Sequence, residues 1–500
     1  MIFATKILKK PIYNILLLLI LLLSVVAFFF ISYNENSGTV VQNKPNTSTT
    51  INGENSTVYH ESDVINIFNG VEKSSRTLDK SLIKTCVEIF GEAFYTDFVN
   101  ACNEKGYSDD IWYSSFGVSL HVLADISEGL LEDPYYTVVG TEYKEEFTLS
   151  FAGDISLDDK WNWSPLYIYK DKRANLLSAA FSEGVSSIML ESDIFCVNLE
   201  TPITDSDKKL DGVKFPMSTS SKNASILINQ LGIDIVNIAN DHIYEADSVG
   251  LSDTITHLKA NGIQYIGAGK DLSDAKAPRY VIIGGKKIAY IAAAESDSKT
   301  HAPEALSNAA GIIETNGVDI RDMIIEARKN ADYVVVYADW GYSAADEKQN
   351  KFKNVNYIEK ASAKQSGLAH DFIDWGADIV LGCRSMVLQN VEYYEGKPII
   401  YGLGNFWFET DAHNAVIARL VFCDGTPSVY LVPCTQRNLQ TSSVLDTEEG
   451  IKILQNIAAA SADTAVIEDS GLVIDLSTIP ENDGENAETA EAPEDNVPAN

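Results

Sequence analysis

Six apolar runs in the middle of this chain each end in a polar or ionisable residue. Residues 147–151 run into Gly153-Asp154, residues 194–197 into Asn198-Leu199-Glu200, and residues 233–238 into Asn240-Asp241-His242. Residues 333–337 run into Asp339-Trp340-Gly341, residues 378–381 into Gly382-Cys383-Arg384, and residues 398–401 into Gly402-Leu403-Gly404-Asn405-Phe406. Helical patterns separate them at 175–183, 221–231, 250–261, 321–329 and 365–375. Strand–helix alternation predicts a largely parallel sheet with helices on its faces. Such sheets collect ligands outside the carboxyl ends of their strands. Asp, Glu, Asn and His gathered there fit a hard cation, an anion, or both.

The sheet is expected to be mixed. Lys286-Lys287 lies between two apolar runs and reads as a hairpin turn. Residues 419–423 and 428–433, joined by Asp424-Gly425-Thr426-Pro427, read as a second hairpin. Gly267-Ala268-Gly269-Lys270 lacks the third glycine of a dinucleotide loop, and no Gly-x-Ser-x-Gly elbow occurs.

Outside this core the chain changes character. Lys6, Lys9 and Lys10 precede an apolar run at 15–31. With its flanks, 12–33 is long enough to cross a bilayer. Lysines on the leading side favour a cytoplasmic N-terminus and an extracytoplasmic bulk. Residues 34–62 read as a flexible linker. Residues 63–144 look partly helical, 145–475 form the strand-rich domain, and 476–500 an acidic disordered tail. The formal net charge of −33 argues against nucleic acid as a partner. Cys86, Cys102, Cys196, Cys383, Cys423 and Cys434 include no C-x-x-C, so a zinc knuckle is not expected. Cys196 reads as a core residue. His301, His370 and His413 are isolated, although His413 follows Asp411 and could approach the strand ends.

The strand-end motifs occur in a specific order. Phe151-Ala152-Gly153-Asp154-Ile155, Asn198-Leu199-Glu200-Thr201-Pro202 and Ala239-Asn240-Asp241-His242 are followed by Tyr265-Ile266-Gly267-Ala268-Gly269 and Trp340-Gly341. Gly376-Ala377-Asp378, Val387-Leu388-Gln389 and Tyr401-Gly402-Leu403-Gly404-Asn405-Phe406 complete the series. This order resembles the bacterial capsule synthesis protein CapA family, also called the poly-gamma-glutamate biosynthesis protein family. The resemblance implies an α/β fold of the calcineurin-like metallophosphoesterase type, a sandwich of mixed β-sheets flanked by helices, here preceded by a transmembrane helix.

It also implies a metal site. Asp154 and Glu200 would be early carboxylate ligands, Asn240 or Asp241 the central ligand, and His242 the leaving-group acid or a ligand. The sequence departs from the family pattern further on. Asp339 stands where the family usually has a histidine before Trp-Gly. Gly382-Cys383-Arg384-Ser385-Met386 replaces Gly-His-His-Pro-His. Asp339 remains able to bind a hard cation, whereas a guanidinium has no lone pair to give. Arg384 therefore either supplants the charge of one metal, pairing with Asp339 or Asp154, or points to solvent. The expectation is at most one divalent ion, with Arg384 and Asn405 as substrate-binding residues. Two functions follow: a metal-dependent hydrolase or transferase in capsule or poly-gamma-glutamate biosynthesis and export, or a non-catalytic binding or assembly subunit. Its partners would be the membrane, an anionic polymer or wall substrate, and capsule-synthesis membrane subunits.

Protease added to cells whose wall has been made permeable is expected to shave the chain beyond Tyr33. Full protection of that region would refute the topology.

Overall fold

The computed structural model describes residues 129–141, 143–295, 302–341, 356–423 and 427–478, with short pieces before them. The segment at 12–33, most of the linker, most of 63–144, Cys86, Cys102, His301 and the acidic tail beyond Thr478 lie outside the described residues; within the linker, Thr49–Ile51 and Thr57–Tyr59 pair as antiparallel strands. Among those described, no helix is long and apolar enough to cross a membrane.

Two sheets carry the domain. In chain order their strands are β1 (Tyr136–Val138), β2 (Glu146–Ile155), β3 (Ile194–Leu199), β4 (Ile235–Asn237), β5 (Gln264–Ile266), β6 (Arg279–Ile283), β7 (Lys286–Ala294), β8 (Tyr333–Asp339) and β9 (Ile379–Cys383). They continue with β10 (Val391–Tyr394), β11 (Lys397–Ile400), β12 (Asn405–Trp407), β13 (His413–Cys423), β14 (Ser428–Arg437), β15 (Gln440–Ser443), β16 (Ala465–Ile467) and β17 (Leu472–Asp475). The first sheet has the order β10-β11-β9-β8-β7-β6-β1. The second runs β16-β17-β14-β13-β2-β3-β4-β5, with β12 paired to β2 and β15 to β14. Strands β2 to β5 are mutually parallel, and so are β7, β8, β9 and β11.

The period of two along each strand sorts side chains into layers. On β8, Tyr333, Val335 and Tyr337 enter the core between the sheets, while Val334, Val336 and Ala338 face the outer helices. On β2, Leu149 and Phe151 face the other sheet and Ala152 faces outward. The inter-sheet core includes Phe151, Tyr290 and Tyr337, all fully buried. Each such side chain contributes about 1.5–3 kcal/mol by leaving water. The Tyr337 hydroxyl donates to the Ala152 carbonyl at 2.6 Å, a polar tie between the sheets.

Helices close both outer faces. Helix α1 (Glu183–Glu191) and α2 (Asp247–Ala260) cover the second sheet, and α3 (Val318–Asn330) and α4 (Ala363–Trp375) the first. Helix α3 buries Ile320, Met323, Ile324 and Ala327, one face of a 3.6-residue period. Helix α4 starts with a capping box, Ser362 with Gln365, and stops at Gly376 with φ +122°. A fifth helix, α5 (Glu448–Ser461), packs against β14, β10 and β16.

Local expectations need correction in two places. The predicted helix at 175–183 ends at Ala180, because the Ser182 hydroxyl caps the next helix by accepting from the Val185 amide. The hairpin turn is Gly284-Gly285, both at positive φ, and Lys286 and Lys287 are the first residues of β7. Cys423 and Cys434 share the β13–β14 hairpin but not a rung, since Cys434 faces Ala415. Cys423 is exposed, with its thiol 3.7 Å from Glu146 Oε2, and Cys434 is buried.

Backbones crowd where the strand ends converge. A Cβ added at Gly382 would lie 1.9 Å from the Tyr401 carbonyl oxygen and 2.4 Å from Trp340 Nε1. Gly382→Ala is therefore expected to cost about 1–3 kcal/mol or more, the range for overpacking a filled core. Urea denaturation checks this, and an unchanged midpoint would refute it.

Candidate metal centre

The carboxyl ends of both sets of parallel strands meet at one place. From the second sheet come Asp154 on β2, Asn198 and Glu200 at the end of β3, and Asn240-Asp241-His242 after β4. From the first come Asp339 at the end of β8 and Cys383-Arg384 at the end of β9. Asn198, Asn240 and Asp339 are fully buried, and Asp154 and Glu200 nearly so. Asp241 and His242 are partly exposed.

Asn198, which the strand-end reading passed over as a ligand, lies at the centre. Its Nδ2 donates to Asp154 Oδ1 at 2.8 Å, to Glu200 Oε1, and to Asp339 Oδ2 at 3.2 Å. Asn240 Nδ2 donates to Asn198 Oδ1 at 3.1 Å and so fixes which way the Asn198 amide points. An amide nitrogen carries two hydrogens. It cannot satisfy three carboxylates together. Glu200 Oε2, also buried, has no hydrogen-bond partner among the described residues. These carboxylates are short of positive partners.

Two cationic groups answer part of that demand. Arg384 Nη1 lies 3.5 Å from Asp339 Oδ1, and its Nε lies 3.6 Å from Asp241 Oδ2. Nη1 also donates to the Glu295 carbonyl at 2.6 Å. The Arg384 backbone amide donates to Asp154 Oδ2 at 3.2 Å. Arg384 therefore pairs with Asp339 and Asp241 through its side chain and meets Asp154 through its backbone amide. It does not point to solvent. Arg384 and Met386 both sit at positive φ, +71° and +59°. Non-glycine residues there carry strain that surrounding contacts must offset. The second cationic group is His242, whose Nδ1 lies 2.7 Å from Glu245 Oε1. Its Nε2 lies 3.9 Å from both Glu200 Oε2 and Asp241 Oδ2.

Burial pushes the Asp154 carboxyl up to about 6, with Asn198 and the Arg384 amide restraining the rise. Burial, then the neighbouring carboxylates, push Glu200 well above its usual range. Asp339 is also raised, by burial against the pull of Arg384. For Asp241 burial acts upward but His242 and Arg384 outweigh it, leaving a lowered carboxyl. Burial opposes charge on His242, yet Asp241 and Glu245 lift it to about 9.

Ligand atoms of Glu200, Asp241 and His242 all lie within 4.8 Å of one another. With the unpartnered Glu200 Oε2, the carboxylates of this set fit one divalent cation, with Asp154 beside it, and His242 would ligate it only as a neutral imidazole. Among the described residues, the other half offers no comparable set. The Cys383 thiol is buried, raised by burial and by Asp339, and lies 3.6 Å from Asp339 Oδ2. A guanidinium fills the space beside Asp339. Asn405 pairs in register with Asp154 and is buried, and neither polar atom of its side chain has a partner among the described residues. His413 pairs with Glu409 at 3.5 Å and His370 with Glu392 at 2.7 Å. From the loop before His413, only Phe408 is seen against the site, its ring 5.9 Å from His242. Sequence reading missed Asn198 and Glu245. The Glu three residues after His242 was the available signal for Glu245.

A family described as bacterial capsule synthesis protein PGA_cap matches residues 148–410. The chain belongs to that family. It is 29% identical over 273 residues to the PGA biosynthesis protein CapA of Bacillus subtilis, covering 54% of this chain and 66% of that one. It is 29% identical over 269 residues to the capsule biosynthesis protein CapA of Bacillus anthracis, covering 52% and 61%. The chain thus spans just under two thirds of these relatives. Among solved structures, the calcineurin-like phosphoesterase YfkN of Bacillus subtilis matches with TM-score 0.34 and 11% identity, over 63% of this chain and 96% of that one.

Raised carboxyls give an unusual pH dependence in protein stripped by a chelator. Asp154 holds its proton more tightly folded than unfolded, so its contribution is complete below about 4 and is lost as pH rises through about 6. Glu200 and Asp339 act in the same direction at higher pH. His242, raised to about 9, adds stability that is lost as pH rises through that value. Chelator-treated protein is therefore expected to lose Tm between about pH 4 and 9, and added divalent cation to flatten that slope. A Tm that rises steadily over this window would contradict the charge assignment.

Proposed function

We propose that this chain is a membrane-anchored, extracytoplasmic protein of capsule or poly-gamma-glutamate biosynthesis, with a single-ion centre acting on an anionic polymer or its wall linkage. Family membership supports the biological role, and the relatives named for PGA and capsule biosynthesis support the polymer class. The run at 12–33 supports the anchor. The observation that carries the metal-dependent reading is the cluster of buried carboxylates sharing one amide, with Glu200 Oε2 unpartnered.

Asp154, Glu200 and Asp241 would hold the ion, and Asn198 and Asn240 would orient them. When bound, a divalent ion supplies Lewis-acid stabilisation of a developing oxyanion and a more acidic water. His242, oriented by Glu245, holds a proton at Nε2 facing the partly exposed side of the site. There it can protonate a leaving oxygen. Arg384 neutralises Asp339 permanently, where a second ion would otherwise be needed.

A second reading, a binding or assembly subunit without catalysis, draws on the same pairing. Arg384, Cys383 and Asp339 satisfy one another and leave half of a two-metal site closed. The two readings differ in metal content and turnover.

Elemental analysis of the purified full-length protein is expected to find at most one divalent ion per chain. Glu200→Gln should weaken ion binding by about 10–100-fold, and Arg384→His should raise the content. Two tightly bound transition metals per chain with brisk phosphodiester turnover would overturn the single-ion centre. One ion with no hydrolase or transferase turnover would favour the non-catalytic reading.

A further inference from the structure

A row of polar side chains crosses the second sheet where its strands end. Asn405 on β12 is the register partner of Asp154 on β2, Asp154 of Asn198 on β3, and Asn198 of Asn237 at the end of β4. Residues abreast on neighbouring strands project from the same face of a sheet. Here that face looks onto the strand ends of the first sheet. Asn198 Nδ2 lies 3.2 Å from Asp339 Oδ2, and Asn237 Nδ2 lies 3.9 Å from Cys383 Sγ. Asn405 closes the row on the far side of Asp154. The backbones are pressed together there: a Cβ on Gly153 would lie 2.0 Å from the Gly404 carbonyl oxygen, and Gly404 itself sits at φ +72°.

The other amides of the row are engaged. Asn198 donates to the carboxylates and accepts from Asn240, and Asn237 Oδ1 accepts from the Ala239 amide at 2.8 Å. Asn405 is 1% exposed, and among the described residues neither its Nδ2 nor its Oδ1 has a partner. Burying an amide with both atoms unmatched is costly, whereas an apolar side chain of similar size would carry no such penalty. At this depth the amide faces the centre and not a polymer. An anion is a poor occupant beside Asp154 and Glu200. A hard divalent cation accepts a side-chain amide oxygen alongside carboxylates. Such an oxygen adds coordination without adding negative charge to a cluster already short of positive partners.

We propose that Asn405 is a further ligand of the single ion, giving its Oδ1 to the cation that Asp154, Glu200 and Asp241 hold. Nδ2 is left to donate towards Asp154, its neighbour in the row. This inference rests on the single-ion reading of the centre and names the neutral ligand that completes it, in place of the substrate contact expected from the strand-end position of Asn405.

The test follows Mn²⁺ binding to the full-length protein in detergent by electron paramagnetic resonance, together with the Tm of chelator-treated protein. Asn405→Leu is expected to weaken Mn²⁺ binding about tenfold or more, yet to raise the Tm without metal by about 2–4 °C, since it removes an unmatched buried amide. An asparagine with a merely structural role would lower both. Asn405→Ala should lose Mn²⁺ affinity by the same factor, which keeps the test open if leucine does not fit. Asn405→Asp should bind Mn²⁺ several-fold more tightly and lower the Tm without metal at neutral pH, because a further carboxylate joins the cluster. Glu200→Gln reports on the centre itself. If Glu200→Gln weakens Mn²⁺ binding while Asn405→Leu and Asn405→Ala stay within about twofold of wild type, Asn405 is not a ligand and the single-ion centre stands. A lower metal-free Tm in Asn405→Leu would likewise overturn the assignment. Wild-type protein that binds no Mn²⁺ would overturn the centre and this ligand together.

Discussion

The site depends on an electrostatic demand that the fold creates and does not fully meet. Parallel strands of two sheets end together, and those ends carry Asp154, Glu200 and Asp339 into a region from which water is largely excluded. Isolated buried carboxylates cost several kcal/mol each unless paired, so charge balance dictates what else stands there. One amide, one guanidinium and one imidazole supply part of the balance. The remainder is what makes the centre suited to a cation.

The scaffold tolerates this because the surrounding layers are apolar and rigid. Sheet packs on sheet through Phe151, Tyr290 and Tyr337, and helices seal the outer faces. Close packing keeps the two half-sites in register, with the Tyr337–Ala152 hydrogen bond and the Arg384–Asp154 contact as polar ties. Cys383 continues β9 and Arg384 turns inward onto carboxylates already present, so the chemistry of this loop leaves the apolar core untouched. Chemistry in one half can thus change while the fold persists.

Much of this was legible in the sequence. The apolar runs and their polar ends located the strands, and motif order pointed to the family. Helix boundaries shifted where capping outranked periodicity, as at Ser182. The first hairpin was misplaced because Lys286 and Lys287 look like turn residues, whereas Gly284 and Gly285 supply the positive φ that the turn needs. Asp154, Glu200, Asn240, Asp241, His242 and Asp339 were singled out by residue type at strand ends. Asn198 escaped because an asparagine beside a stronger candidate, Glu200, has no sequence signal for its central position. Glu245 was within reach of the sequence: its amide donates to the His242 carbonyl in a local turn, which sets its carboxylate against the imidazole three residues back. The partners of Arg384 depend on how close the two sheets stand, which no local pattern encodes.

The Leu210 amide donates to the Glu245 carbonyl and the Met217 amide to Glu245 Oε2, and this pinning of the 204–219 loop has a consequence for how such a chain can diversify. Glu245 spends one oxygen on the imidazole and the other on the loop backbone, so the spacing around those two pins is tied to the acid's orientation. Residues 211–215 make no such tie to Glu245. Side chains between the pins can change without moving either oxygen of Glu245, so this short stretch can vary while the His242–Glu245 contact keeps its geometry.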